Sequence, residues 1–219
     1  MVLIGENMQK KDIVIIGSGK LAREVKWLID LCNSDKSEWN FIGWISEDHN
    51  KDGVDGFPIL GNDDWLISYS KPVCAAIGIG NGKLREIISR KLFVNNNISF
   101  PILKAPSAEM SNSVRMGIGS IITSKCVLTV DINIGDFFFC NLASTVGHDC
   151  KFGNYVTLNP GVNVSGNVIL GDRVTVGTGA SIIEKISVGE NSTIGAGAAI
   201  IRDVDSDVTV VGVPGRTIS

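Results

Sequence analysis

The chain has 219 residues, is 44% hydrophobic and carries a formal net charge of −3, enough apolar content for one large or two small cores. Lys and Arg are scattered, so nothing attracts nucleic acid or an anionic membrane surface. The opening MVLIGENMQKKD has too short an apolar run for a signal peptide, and nowhere do about 18 apolar residues run together as a spanning helix requires. A cytoplasmic protein with no membrane insertion is expected.

In chain order, DIVIIG (12–17) reads as a strand, GKLAREVKWLIDL (19–31) has helical spacing and FIGWI (41–45) is again strand-like. The turn-rich loop SEDHNKDGVDGFPILG follows. Then come the strand VCAAIG (73–78), the helix KLREIISRKLFV (83–94) and the strand ISFPIL (98–103). Such alternation predicts a small Rossmann-like parallel sheet of about four strands flanked by helices, over residues 1–104.

From about residue 105 the period changes. Stepping by six from Met110 gives Met116, Ile122, Leu128, Ile134, Cys140 and onward to Ile194 and Ile200, all apolar. Positions two residues earlier are small or apolar, and the next residue is often glycine, as at Gly117, Gly135, Gly147 and Gly171. A six-residue repeat predicts a parallel β-helix: three hexapeptides per coil of about 18 residues, with each apolar position stacking on its equivalents. Glycine beside that position is expected to permit the tight corner. Residues 105–219 form this all-β domain, and the tail DVDSDVTVVGVPGRTIS breaks the period and caps it. Five cysteines without C-x-x-C spacing suggest neither disulfides nor zinc; Cys126, Cys140 and Cys150 fall on inward positions. No metal is expected.

Two glycine turns sit between a strand and a helix. IIGSGKLA (15–22) places Gly17, Ser18, Gly19 and Lys20 where backbone N–H groups and a helix N-terminus face a phosphate, although a turn that merely needs glycine would read the same. AIGIGNGKLREII (76–88) repeats the pattern with Gly80 and Asn81, and Arg85 lies one turn into the helix, as a ligand contact or a solvated charge. The sheet is too small for a full dinucleotide fold. Glu47 and Asp48 are the only acids near the second strand, which argues against NAD and leaves a mononucleotide diphosphate.

Of the two histidines, His49 lies in a polar loop and His148 in STVGHDCKFG. His148 falls two residues after the inward Val146 and so points outward. An imidazole is the natural general base at neutral pH, and the adjacent Asp149 would raise its basicity. A zinc enzyme on such a scaffold would need several histidines.

The glycine-turn domain, the segment GHDCKFGNYVTLNPGVNVSGNVILGDRVTVGTGASI and the ending IGAGAAIIRDV…VVGVPGR resemble, from about Asp12 to Arg216, the bacterial sugar acetyltransferases with a left-handed β-helix. These act on nucleotide-linked 4-amino-6-deoxy sugars or on sialic acid. The resemblance implies acetyl-CoA as cosubstrate and His148 as general base with Asp149 behind it. It also implies a homotrimer with CoA between neighbouring β-helices. Gly166, Thr178 and Ala196 would follow the pantetheine arm, Thr157 would lie near its reacting end and Arg216 would meet a CoA phosphate. The nucleotide sugar would rest on Gly17, Ser18, Gly19 and Lys20, then Ser46 and Glu47, then Gly80, Asn81 and Arg85.

The implied function is N-acetylation of a nucleotide-linked 4-amino-4,6-dideoxy sugar for a surface glycan such as lipopolysaccharide or O-antigen. This chain departs from the family in two places. Many members have a His in the first glycine turn, where it has Lys20 and Leu21, and many have an Asp-Asp pair where it reads Ser46 and Glu47. The base, uridine, deoxythymidine or guanosine, stays open. Sialic acid O-acetylation is the nearest alternative and a non-catalytic β-helix scaffold a remote one. Ice binding would need Thr-x-Thr ladders and a sugar nucleotidyltransferase a larger first domain; both are absent.

Overall fold

The computed structural model describes residues 10–47 and 53–218; Asp48 and His49 lie outside them. The first part runs β1 (Lys11–Ile16), α1 (Lys20–Asp35), β2 (Trp39–Ile45), β3 (Ile59–Gly61), α2 (Asp63–Ser68), β4 (Val73–Ile77), α3 (Gly82–Leu92) and β5 (Ile98–Ser99). These form one parallel five-stranded sheet in the order β3-β2-β1-β4-β5. The order reverses between β1 and β4, and the turns after both strands open on one crevice. Central strands are apolar on both faces because helices cover them: Ile13, Val14 and Ile15 are fully buried. The sheet has one strand more than expected, since Ile59–Gly61, read as loop, adds β3. Residues 63–68 form a short helix that hydrophobic periodicity did not flag; Asn62 caps it by accepting from the Trp65 N–H at 3.1 Å.

The rest of the chain winds into a parallel β-helix of two-residue strands stacked in three sheets, 18 residues apart. We call first the face that carries Thr145–Val146 and Asn163–Val164. The second carries Lys151–Phe152 and Ile169–Leu170, and the third Thr157–Leu158 and Thr175–Val176. Every inward position from Ile122 to Ile200 is at most 7% exposed. Met110 and Met116 are more open because they lie in the first coil, with no coil beneath them on their faces. That coil begins with Leu103–Lys104, which pairs with Ile121–Ile122. The predicted strand 98–103 therefore divides around Pro101 between the two domains, and the β-helix starts slightly before the expected boundary at 104/105. The tail adds Thr209–Val211 to the third face and turns back antiparallel at Arg216–Thr217, ending the stack.

The expected role of the glycines needs correction. Left-handed backbone recurs every six residues from Gly119 to Gly197, with φ between 54° and 69°, and most of these positions are not glycine. Asp131, Ala143, Asp149, Asn167 and Arg173 are among them. Glycines after the inward positions serve close stacking instead: a Cβ on Gly171 would lie 2.6 Å from the Glu190 nitrogen of the next coil.

The domains dock at the second-to-third corner. Phe137 and Tyr155, one coil apart, stack at 5.4 Å with an interplanar angle of 5°, and Phe137 meets Phe100 edge-on at 5.1 Å. Ser89 Oγ lies 3.0 Å from the Tyr155 hydroxyl, and Arg173 pairs with Glu86 at 3.1 Å. Burying these rings offsets roughly the 1–2 kcal/mol that a bulky residue costs in left-handed backbone.

Candidate active site

His148 and Asp149 occupy the corner between the first and second faces. Asp149 has φ 59°, a conformation that Asp and Asn tolerate better than other non-glycine residues. Its Oδ2 lies 2.8 Å from His148 Nδ1, and among the described residues Nε2 has no hydrogen-bond partner. Both side chains are more than half exposed, at 56% and 55%. The residue one coil above is Gly166, and the imidazole lies on it: a Cβ there would stand 2.6 Å from both Cε1 and Nε2. The Asn167 N–H donates to the His148 carbonyl at 2.7 Å, tying the two coils together. A groove of about 380 Å³ opens beside Asp149, lined by Asp131, Asn133, Lys151, Asn167 and Ile169.

The residues expected along CoA divide between two corners. Gly166 belongs with His148. Thr178 and Ala196, both exposed, lie on the third-to-first corner, across the width of the first face. Arg216 lines a cavity of about 210 Å³ on the last coils, which also holds Arg202. Arg202 stands in the column above His148, which reads Gly166, Glu184, Arg202 at steps of 18.

Thr157 does not lie along that path. It is 3% exposed; its hydroxyl accepts from Arg85 Nη2 at 2.9 Å and donates to the Gly80 carbonyl at 3.0 Å. Arg85, expected as a ligand contact or a solvated charge, is likewise engaged within the protein. Only 2% exposed, it donates through Nε to Phe137 O (3.1 Å), through Nη1 to Ile79 O (3.1 Å) and Gly80 O (2.8 Å), and through Nη2 to Tyr155 O (2.8 Å) and Val156 O (3.1 Å). Burial pushes its pKa down to about 10, so it is charged at neutral pH.

The remaining first-domain residues gather around the crevice. Gly17 has φ 101° and donates its N–H to Ile45 O at 2.8 Å. Gly19 is the N-cap of α1 and offers no side chain to satisfy the helix N–H groups, and Lys20 is exposed in the first turn. Ser18 Oγ and Ser46 Oγ are 3.0 Å apart, joining the turns after β1 and β2. Glu47 lies 3.4 Å from Asn62 Nδ2. Asn81 Oδ1 accepts from the Leu84 N–H at 3.0 Å, so it caps α3 at the crevice edge.

Residues 12–92 match the family model described as PglD N-terminal domain. A curated relative, GDP-perosamine N-acetyltransferase of Escherichia coli O157:H7, is 29% identical over 107 residues, a stretch of about half of each protein (49% of this chain, 48% of the relative). PerB from Caulobacter crescentus, solved with CoA and GDP-perosamine, is 30% identical with a TM-score of 0.86 over 95% of this chain and 97% of that one. The acetyltransferase domain of PglB from Neisseria gonorrhoeae, solved with acetyl coenzyme A, is 29% identical with a TM-score of 0.87 over 96% and 100%.

Proposed function

Because the chain belongs to the hexapeptide-repeat, left-handed β-helix family of nucleotide-sugar N-acetyltransferases, we propose that it moves the acetyl group of acetyl-CoA onto the amine of a nucleotide-linked 4-amino-4,6-dideoxy sugar, with His148 as general base. The observation that carries this reading is the His148 ring, tied to Asp149 through Nδ1 and resting on Gly166 with Nε2 free. Nε2 takes a proton as the amine nitrogen bonds to the thioester carbon. The C–S bond then breaks, and the proton leaves with the CoA sulfur. Asp149 orients the ring and stabilises the imidazolium that forms. The Gly166 N–H, on the residue against the base, is the proposed donor to the oxyanion.

The two-corner arrangement supports a site shared between copies. In this reading a CoA arm meeting both Gly166 and Thr178 would run between the first-to-second corner of one chain and the third-to-first corner of another. Three copies around a threefold axis let each chain lend both corners and close the assembly. Arg202 and Arg216 would take the phosphates at the far end. The crevice between β1 and β4 is the proposed nucleotide site: the uncapped start of α1 faces a diphosphate, and Ser46 and Glu47 stand where base or ribose would lie. A cytoplasmic reaction is part of the same proposal; among the described residues no helix is long and apolar enough to cross a membrane.

The test is a thiol-release assay with acetyl-CoA across amino sugars carried on uridine, deoxythymidine and guanosine diphosphates and across free sialic acid, with product masses. N-acetylation of a member of this panel is expected. Release only with free sialic acid, or with none of these acceptors, would overturn the reading.

A further inference from the structure

Arg85 is a buried cation, and among the described residues no carboxylate pairs with it. Such a group costs several kcal/mol unless its donors are all engaged. Here a fork of five N–H groups meets six acceptors: the carbonyls of Ile79, Gly80, Phe137, Tyr155 and Val156, and the Thr157 hydroxyl. An apolar side chain of similar volume would leave these carbonyls without the guanidinium's donors, so this contact between the domains is built on hydrogen bonds rather than on filling alone. A guanidinium adds fixed geometry, because it holds carbonyls from two domains in one plane.

Two of those carbonyls, Ile79 and Gly80, belong to the turn that forms one wall of the crevice, and the rest lie on the β-helix corner. Thr157 closes the circuit, since its hydroxyl also donates to Gly80 O. Asn81 continues that turn into α3, and a Cβ on Gly82 would stand 2.5 Å from Tyr155 O, so the helix start lies against the coil. The opposite wall is tied within the sheet, through Gly17 on Ile45 and Ser18 with Ser46.

We propose that Arg85 is a positioning residue: it locks the 79–81 wall of the nucleotide-sugar crevice to the β-helix corner, so that the acceptor is delivered at a fixed place relative to the coils. This rests on the functional reading above. The test compares Arg85→Lys and Thr157→Val with the wild type, using whichever nucleotide amino sugar of the panel the wild type acetylates. Lysine keeps the charge and loses the fork. KM for the amino sugar should rise about tenfold or more in R85K and roughly threefold in T157V, the range expected of a small misplacement. KM for acetyl-CoA should stay within about twofold. Amides 79–82 should exchange faster with deuterium in both variants while those of coils 163–200 do not change.

Equal rises in both KM values, or none, would overturn the proposal. If R85K does not fold, the isosteric T157V carries the test by the same criteria. A wild type that acetylates nothing in the panel defeats the functional reading and this proposal with it; a working wild type matched by both variants defeats this proposal alone.

Discussion

Gly166→Ala tests the site at a place where the structure separates catalysis from stability. The new Cβ would lie 2.6 Å from His148 Cε1 and Nε2 and 3.1 Å from Cδ2. Carbon contacts settle near 3.5 Å, so the ring has to retreat by about 1 Å. The backbone of Gly166 is not in the left-handed region, and alanine there removes unfolded-state freedom worth roughly 0.4–1 kcal/mol. Against this stands about 0.5–1.5 kcal/mol for pushing the exposed ring off its rotamer. Stability should therefore change by no more than about 1 kcal/mol. Catalysis should not escape: misplacing a reacting group by about 1 Å costs on the order of 10²-fold. Gly147→Ala is the control, because its Cβ would meet backbone, 2.7 Å from the Gly166 nitrogen and 2.8 Å from the Ser165 carbonyl carbon; it should lower Tm. The assay is steady-state thiol release beside thermal melts. G166A turnover within about threefold of wild type would refute the reasoning, and so would a loss of activity matched by a loss of folding.

His148→Ala should reduce turnover at least about a hundredfold and leave Tm and assembly unchanged, as its ring is 56% exposed; near-normal turnover would remove His148 from the mechanism. Asp149→Asn keeps a residue that accepts φ 59° but loses the carboxylate on Nδ1, so activity should fall about 10²-fold at unchanged urea midpoint. Asp149→Ala should lose the same activity and in addition roughly 1–2 kcal/mol, because alanine resists left-handed backbone; equal stability of the two variants would contradict this account of the corner. Iodoacetamide near pH 7 should leave activity intact. Cys126, Cys140 and Cys150 are fully buried; the hydrogen bond from Cys140 pulls the Cys126 thiol down to about 7, so burial alone shields it, whereas hydrogen bonding to Cys126 and burial push the Cys140 thiol well up, and burial raises those of Cys150 and Cys32. Rapid inactivation that acetyl-CoA prevents would reveal a working thiol.

The coils were legible because one inward residue per hexapeptide has to be apolar, and a one-dimensional stack repeats that demand without interruption. The same register located His148 on an outer corner, which the structure places beside Gly166. What stayed hidden depends on partners that no local pattern encodes. Arg85 read as a ligand contact or a solvated charge because its acceptors are carbonyls from Ile79 to Val156, and a carbonyl leaves no mark on a sequence. Thr157 is set near the cosubstrate only by the family resemblance, which says nothing of its bonds to Arg85 and the Gly80 carbonyl. The helix after Asn62 was too short to show a period, though its Asn cap and Asp63–Asp64 first turn were in plain view. Phe137 and Tyr155 were readable in principle: two aromatics 18 residues apart, on positions that otherwise face solvent, imply a surface that something covers. Extending the 18-residue step from inward positions to outward ones would have found this docking corner. It would also have found the column Gly166, Glu184, Arg202 above the histidine. In a β-helix the register that builds the core also addresses every residue on the surface, so the functional corner can be read by the same arithmetic as the hydrophobic one.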